Sequence, residues 1–303
     1  MERRNFIRTG LTALAATAVK TAFPTPSRNQ VASGKPFRLN YAPHEGMFAA
    51  SAGKDFVDQI RFMHDQGFRA VEDNGMLARP VPEQEKIGRV VADLGMTMGV
   101  FVIDGGDNWK TSLTTGKPEC VQTFLNACTR AVECSKRVQA KWMTVVPGFY
   151  DRSLPHDIQT AHVIEALRKG AAILEPHGLV MVLEPLSDTP DLFLRSPHQT
   201  LMICKAVNSP SCKILYDMYH MQRNEGNIIP NLITCWEEIA YFQIGDNPGR
   251  HEPGTGEMNY RNIFKAIAEK GYQGILGMEH GNLLPGTAGE QAVIKAYREC
   301  DNF

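Results

Sequence analysis

A unit of one short apolar run, a polar residue, a loop and an amphipathic helix recurs along this chain after residue 36. The apolar runs have the length and the bounding turn residues of buried parallel strands. Several helical patterns end at a glycine, which the left-handed backbone at the end of a helix favours. The predicted strands are 37–42, 68–71, 96–103, 142–146, 179–183, 213–216, 241–244 and 274–278, and clear helical patterns are 54–66, 82–94, 118–139, 156–176 and 260–270.

Eight strands that alternate with helices predict a parallel sheet closed into a (β/α)8 TIM barrel. The chain has 303 residues, enough for the roughly 250 residues that are usual for this fold. A doubly wound open sheet is the alternative, but it would need a phosphate-binding GxGxxG after the first strand, and none is present. Because we find no linker or low-complexity run, we predict one catalytic domain at residues 36–303.

Residues 1–35 are unlike the rest of the chain. Arg3 and Arg4 are followed by Phe6, a mildly apolar run at 11–19, and then small residues and prolines. This order resembles a twin-arginine export signal with a linker, which predicts a periplasmic protein. The apolar run is too short to span a bilayer, so no stable membrane anchor is expected. A frayed basic helix is the alternative interpretation.

The charge and the cysteine content exclude several classes of protein. The formal net charge is −1, so the basic surface typical of nucleic-acid binding is not expected. The seven cysteines are an odd number and form no CxxC motif, which argues against a zinc knuckle or a full disulfide framework. A small molecule is therefore the expected partner, and a homo-oligomer is left open.

Four oxygen-bearing side chains end the last four predicted strands: Glu184, Asp217, Gln243 and Glu279. They are 33, 26 and 36 residues apart (217−184, 243−217, 279−243), about one strand-helix unit each. In a barrel, such positions converge on one mouth, where the chemistry of this fold lies. Three carboxylates and one amide form an oxygen site that suits Mg²⁺ or Mn²⁺, with Co²⁺ as an alternative.

The segments VMVLEPL, ILYDMYHMQRNEGNI, YFQIGDNPGRHEPGTGEMNYRNIF and GYQGILGMEHG resemble the hydroxypyruvate isomerase family, one of the xylose-isomerase-like sugar isomerases and epimerases. The resemblance covers about residues 37–300 and is strongest after residue 179. It implies that Glu184 and Glu279 are the catalytic glutamates, and that these two with Asp217 and Gln243 hold the metal.

The resemblance also implies three substrate-binding residues: His220, Arg250 and Glu252. His220 and Arg250 are natural partners of hydroxyl, carboxylate or aldehyde oxygens. The alternatives are a core histidine for His220 and a salt bridge from Arg250 to Glu252 or Asp246. For Glu252, bracing of the loop comes first and a substrate contact second.

Three features depart from the family pattern. His280-Gly281-Asn282 follow Glu279, Glu72-Asp73-Asn74 follow the second strand, and the chain carries an export signal. The first two positions line the mouth of the barrel, so the substrate is the property they affect. A pocket for a substrate larger than a three-carbon acid would draw on the following residues: His44, Glu72, Trp109, Phe149 and His280.

The predicted activity is that of a divalent-metal-dependent isomerase or sugar epimerase. It would remove a proton alpha to a carbonyl, through an enediolate that the metal stabilises, with two glutamates as acid and base. The alternative is a metal-dependent lyase or dehydratase on a keto-sugar or keto-glycoside, which shares the proton abstraction. A nuclease on the same barrel would need extra histidines after the second and third strands, where Glu72, Asp73 and Asp104 stand. A sugar-binding module without catalysis is the fourth alternative.

Overall fold

The structure is a computed structural model, and it describes residues 34–103 and 112–303. The strands in this part of the chain are β1 (Asn40–Ala42), β2 (Ala70–Val71), β3 (Thr97–Met98), β4 (Phe101–Val102), β5 (Trp142–Val145), β6 (Val180–Leu183), β7 (Cys212–Asp217), β8 (Ile239–Gln243) and β9 (Ile275–Gly277). The helices there are α1 (Ala49–Ala52), α2 (Phe56–Asp65), α3 (Val81–Asp93), α4 (Pro118–Val138), α5 (His156–Leu174), α6 (Pro197–Val207), α7 (Met218–Asn224), α8 (Ile228–Cys235), α9 (Tyr260–Glu269) and α10 (Gly286–Cys300). None of these helices combines the length and the hydropathy that a membrane span requires.

The strands pair in parallel around a closed barrel. Seven of them lie in the order β1-β9-β8-β7-β6-β5-β4, and β2 pairs with β3. A parallel bridge between His44 and Glu72 joins the chain after β1 to the chain after β2. Because β3 and β4 follow each other in the chain, the ring closes with eight strand positions, and the predicted (β/α)8 TIM barrel is confirmed.

The third barrel strand is interrupted, unlike the continuous strand predicted at 96–103. Gly99 and Val100 separate β3 from β4. The Tyr241 hydroxyl lies 2.4 Å from the position that a Cβ on Gly99 would take, and it accepts a hydrogen bond from the Val100 amide (3.4 Å). This contact from across the barrel leaves no room for a side chain at residue 99 and displaces the chain from regular ladder geometry.

Alternation along the strands divides the core into two layers. A smaller cluster takes every second strand residue, among them Val182, Leu215, Tyr241 and Ile275. The residues between these, such as Leu183, Tyr216 and Phe242, belong to the larger cluster that also contains the helices. Since side chains point alternately to the two faces of a strand, the smaller cluster fills the inside of the barrel. On each strand, the residue two positions after a residue of the smaller cluster therefore also points into the barrel.

Candidate metal centre

Alternation places the four predicted metal ligands at the inner rim of the barrel. Glu184 lies two residues after Val182, Asp217 after Leu215 and Gln243 after Tyr241. Glu279 lies four residues after Ile275. The register pairs Asp217 with Gln243 across β7 and β8. The four side chains therefore form one layer directly above the apolar interior, at the carboxyl ends of the strands.

Three of the side chains at this rim offer atoms that converge on one point. One ligand atom each from Glu184, Asp217 and His220 lies within 4.8 Å of the other two. Nε2 of His220 lies 3.5 Å from Oδ2 of Asp217 and 3.8 Å from Oε1 of Glu184. All three residues are buried. This geometry fits a cation held within the mouth of the barrel.

Gln243 adds an amide oxygen without a partner to the same layer. Its Nε2 donates a hydrogen bond to Oε1 of Glu72 (3.0 Å), and the Tyr241 hydroxyl donates to Oε2 of Glu72 (2.7 Å). The Oε1 atom of Gln243 is buried and has no hydrogen-bond partner among the described residues. A buried amide oxygen is costly unless a donor or a cation satisfies it. The donor set therefore fits a hard divalent cation such as Mg²⁺ or Mn²⁺.

The acidic groups at the rim disfavour each other's ionisation. Burial raises the pKa of Glu184 well above its usual range, and the charges of Glu279 and Asp217 raise it further. Burial also raises the pKa of Glu279 to about 7, although the positive charge of Arg250 opposes that shift. A bound cation would stabilise the ionised carboxylates, which is the second reason why these residues fit a metal.

Arg250 connects two of the carboxylates. Its Nη2 donates to Oε2 of Glu279 (2.9 Å) and to Oδ2 of Asp217 (3.3 Å). The residue has a φ of 54°, a left-handed conformation that is uncommon outside glycine and occurs at functional sites. The alternative of a salt bridge to Glu252 or Asp246 is not what the structure shows. The carboxylate of Asp246 instead accepts three backbone amides of its own loop.

Ser187 determines which nitrogen of His220 carries the proton. The Ser187 amide donates to Nδ1 of His220 (3.2 Å), and Oγ of Ser187 lies 2.7 Å from the same atom. Burial lowers the pKa of His220, with Asp217 opposing, so the ring is neutral and its proton sits on Nε2. That nitrogen has no hydrogen-bond partner among the described residues. A protonated Nε2 would donate to a substrate oxygen, whereas the same atom without its proton could join Glu184 and Asp217 as a metal ligand. A substrate contact of His220 stays a prediction.

The side chain of Glu252 is buried and bonded to a neighbouring loop. It is 3% exposed, and its Oε2 accepts a hydrogen bond from the Leu283 amide (2.9 Å). This bond ties the loop after β8 to the loop after β9, as the bracing interpretation expects. A substrate contact of Glu252 stays a prediction.

The residues suggested for an enlarged pocket lie in different surroundings. His44 and Glu72 line a cavity beside Glu279. His280 is 4% exposed, and its ring nitrogens contact the Tyr297 hydroxyl and the Gly281 carbonyl, both at 2.9 Å. It also lines a second cavity, of about 440 Å³. Phe149 pairs with Leu192 through an isolated antiparallel bridge. Trp109 and Asp104 lie outside the described residues, as does the predicted export segment apart from Gly34 and Lys35.

Two residues that contact the site were not among the predicted site residues. Nδ2 of Asn74 donates to Oε1 of Glu279 (2.8 Å), and Ser187 holds His220. The position of Asn74 at the end of β2 was visible in the sequence, but its partner was not. Ser187 lies in a loop, and nothing in the sequence around it predicts a contact with His220.

Replacement of Glu72 by glutamine is expected to weaken metal binding about 10- to 100-fold, the range for residues that orient a ligand. The two carboxylate oxygens of Glu72 accept hydrogen bonds from Tyr241 and Gln243. A glutamine at this position has an NH2 group in place of one oxygen, so one of these donors would face another donor. Rotation of the Gln243 amide would relieve that clash, but it would turn the Gln243 oxygen away from the metal. Calorimetric titration of Mn²⁺ measures the change. The matched control is Glu45→Gln, a partly exposed glutamate of the same cavity. Equal Mn²⁺ affinities of Glu72→Gln and the unsubstituted protein would contradict this role.

Metal affinity is also expected to fall as the pH is lowered below about 7. The pKa of Glu279 is raised to about 7, so below that pH a proton competes with the cation for the carboxylate. For one competing proton the loss is about tenfold per pH unit, and binding releases that proton. Mn²⁺ titrations from pH 5.5 to 8 in two buffers of different ionisation enthalpy measure both effects. An affinity that stays constant over this range would contradict the assignment of Glu279 as a ligand.

This (β/α)8 barrel carries three carboxylates and an amide at the carboxyl ends of its last four strands. Barrel enzymes have their chemistry at that end of the strands. The chain belongs to the xylose isomerase-like TIM barrel family, whose model matches residues 60–300. The family assignment confirms the xylose-isomerase-like fold predicted from the sequence. It also confirms an enzyme of the isomerase and epimerase group.

The relatives agree with the resemblance noted in the sequence. Hydroxypyruvate isomerase of Escherichia coli is 41% identical over 162 residues, which are 52% of this chain and 62% of that protein. A putative hydroxypyruvate isomerase of Danio rerio is 36% identical over 235 residues, 75% of this chain and 84% of that protein. Among solved structures, 3-keto-D-glucoside 4-epimerase of E. coli superposes with a TM-score of 0.72 at 18% identity, covering 88% of this chain and 100% of that chain. At that identity the last match shows the fold alone.

Proposed function

We propose that this protein is a divalent-metal-dependent isomerase or epimerase, similar to hydroxypyruvate isomerase, that removes a proton alpha to a carbonyl. The observation that supports this most is the pair of glutamates Glu184 and Glu279 at the carboxyl ends of β6 and β9, where burial raises the pKa of each carboxyl above its usual range. General acids and bases work best with a pKa near the working pH. Two such groups at one mouth can remove a proton and return one.

The metal would be held by Glu184, Asp217, Gln243 and Glu279, with Mg²⁺ or Mn²⁺ as the preferred ions and Co²⁺ as an alternative. Bound there, the cation would act as a Lewis acid that polarises the substrate carbonyl and makes the adjacent C–H more acidic. The unpartnered oxygen of Gln243 and the carboxylate of Asp217 would hold it without taking part in proton transfer.

The remaining residues would orient the substrate and the two glutamates. Asn74 and Arg250 bind the two oxygens of Glu279, so its carboxylate keeps one direction. The protonated Nε2 of His220 would donate a hydrogen bond to a substrate oxygen. The guanidinium of Arg250 would stabilise the negative charge that develops as the proton leaves. Of the two glutamates, the base would take the proton and the acid would deliver one to the neighbouring atom or to the opposite face.

The mass and configuration of the product test this proposal. The metal-loaded protein would be incubated with hydroxypyruvate, ketoses and 3-keto-glycosides, and the products followed by mass spectrometry and proton NMR. An unchanged mass with a moved carbonyl or an inverted carbon supports the isomerase or epimerase. Loss of water or of a glycosyl group would instead establish the lyase or dehydratase that shares the same first step. A sugar-binding module without catalysis predicts that no substrate is converted.

We also propose that residues 1–35 direct export to the periplasm by the twin-arginine route, because Arg3 and Arg4 stand directly before an apolar run. The full chain, expressed in a bacterium with this pathway, would be recovered from the periplasm. The variant with Arg3→Lys and Arg4→Lys would stay in the cytoplasm. Equal distribution of both forms would overturn this part of the proposal.

A further inference from the structure

The loop after β8 is built around one fully buried carboxylate, that of Asp246. Its two oxygens accept hydrogen bonds from the backbone amides of Gly254 (2.8 Å), Gly256 (3.0 Å) and Met258 (3.1 Å). The nearest basic residue of the loop, Arg250, pairs with other carboxylates. Because a buried charge is unfavourable unless it is paired or hydrogen-bonded, these three amides are what stabilise Asp246 in the folded protein.

The backbone of Asp246 holds the backbone of Arg250. The Asp246 carbonyl oxygen accepts the Arg250 amide (2.7 Å), and the Asp246 amide donates to the carbonyl oxygen of His251 (2.8 Å). Residues 246–251 therefore form a turn closed by an antiparallel bridge. Arg250 has its φ of 54° within this turn. A residue with a side chain keeps such a conformation only where the surrounding structure imposes it.

The turn directs the side chain of Arg250 back to the mouth of the barrel. Its Nε donates to the carbonyl oxygen of Glu279 (3.2 Å), and its Nη2 donates to the carboxylates of Glu279 and Asp217. The guanidinium carbon lies 4.8 Å from the centre of the Tyr219 ring. All these contacts depend on the position of the Arg250 backbone, which the turn determines.

The far side of the loop packs directly on this turn. A Cβ on Gly256 would lie 2.0 Å from the carbonyl oxygen of Asn247, so the two backbones are in contact there. The Glu257 amide donates to the same carbonyl oxygen (2.9 Å). The carboxylate of Asp246 joins these two sides of the loop, and its loss would free the turn that carries Arg250.

We infer that Asp246 is a positioning residue for the reaction, which acts by holding Arg250 against Glu279 and Asp217. It is fully buried, so it does not contact the substrate itself. The inference rests on the proposed function for the role of Arg250, whose guanidinium stabilises the charge that develops as the proton leaves. A displacement of about 1 Å at a reacting centre can lower the rate about 100-fold, and the carboxylate of Asp246 prevents such a displacement of Arg250.

The test uses Asp246→Asn and a matched control, Asp301→Asn. Asparagine has the shape of aspartate, but its NH2 group replaces one acceptor oxygen and would face a backbone donor. Asp301 is also buried, and its carboxylate accepts three hydrogen bonds, from the amides of Arg38 and Leu39 and from the Tyr41 hydroxyl. Because these amides precede β1, Asp301 lies at the end of the barrel opposite the site.

Two readouts separate positioning from a general loosening of the fold. The first is the Nε–H signal of Arg250 in a proton–nitrogen NMR spectrum without substrate, assigned by its absence in Arg250→Lys. The second is kcat with Mn²⁺ for Asp246→Asn, Arg250→Ala and the double variant, on whichever compound of the product test is converted fastest. If Asp246→Asn does not fold, Gly256→Ala disturbs the same contact at an exposed residue and replaces it in both readouts.

We expect Asp246→Asn to move the Arg250 signal toward that of solvent-exposed arginines and to lower kcat about 10- to 100-fold. In the Arg250→Ala background, the same substitution should change kcat less than about twofold, because the two residues act as one unit. Asp301→Asn should leave the signal and kcat unchanged.

An unchanged Arg250 signal in Asp246→Asn, an equal shift in Asp301→Asn, or the same fold loss of kcat with and without Arg250 would overturn the inference. If none of the compounds is converted, the proposed function fails, while the Arg250 signal still decides whether Asp246 holds that side chain.

Discussion

Replacement of Glu184 or Glu279 by glutamine is expected to lower kcat by about 10³-fold, within the 10²- to 10⁴-fold range of general acid–base catalysis. Glutamine has nearly the same shape and keeps an oxygen for a metal, but it cannot exchange a proton. Both carboxyls are held near the point of chemistry with a raised pKa, so each substitution removes one partner of the proton transfer. Steady-state kinetics with the metal-loaded variants measures the loss.

The control for this pair is Glu257→Gln. Glu257 lies exposed in the loop after β8, where it accepts a hydrogen bond from Gln222 at 3.3 Å, and its substitution should leave kcat within about twofold. Metal content would be measured for every variant, because lost occupancy would imitate lost proton transfer. If either glutamate variant kept full activity with the metal bound, that residue would not be the acid or the base.

Removal of the metal, or Asp217→Asn, is expected to abolish turnover and to lower the melting temperature. Oδ1 of Asp217 caps α7 by accepting the Tyr219 amide (2.7 Å), and asparagine caps helices as well as aspartate does. The substitution therefore preserves the helix while it removes one ligand charge. A ligand at 100 times its dissociation constant stabilises the folded state by about 2.7 kcal/mol. For a domain of this size that is about 5–10 °C.

Differential scanning calorimetry with Mn²⁺, after chelation, and with Asp217→Asn checks this expectation. The unsubstituted protein should gain several degrees on addition of Mn²⁺, and the variant should gain little. If the chelated protein kept both its melting temperature and its activity, the metal centre would not exist in the proposed form.

The strand-end residues were predictable because their position follows from two simple periods. One strand-helix unit separates Glu184, Asp217, Gln243 and Glu279 along the chain, and alternation within each strand turns all four inward. Both periods can be read from apolar runs that end in a polar residue. The same reasoning placed β5 to β9 close to their observed bounds.

The partners of these residues were not predictable, because each depends on contacts between distant segments. Asn74 reaches Glu279 across 205 positions of the chain, and Glu72 reaches Gln243 across 171. No local pattern reports such a pair. The same holds for the break between β3 and β4, which the hydroxyl of Tyr241 causes from the opposite side of the barrel. The glycine at residue 99 is the one feature of the sequence that indicates this break.

The central claim is that Glu184 and Glu279 move a proton alpha to a carbonyl in a metal-dependent way. Exchange of that proton for deuterium in D2O, followed by proton NMR with the protein that lacks residues 1–35, tests it most directly. We predict that the C–H signal of a converted ketose decays with Mn²⁺ present, persists after chelation, and persists in Glu184→Gln and Glu279→Gln. Conversion without any deuterium entering the product, with the metal bound and both glutamates intact, would contradict proton exchange through these residues.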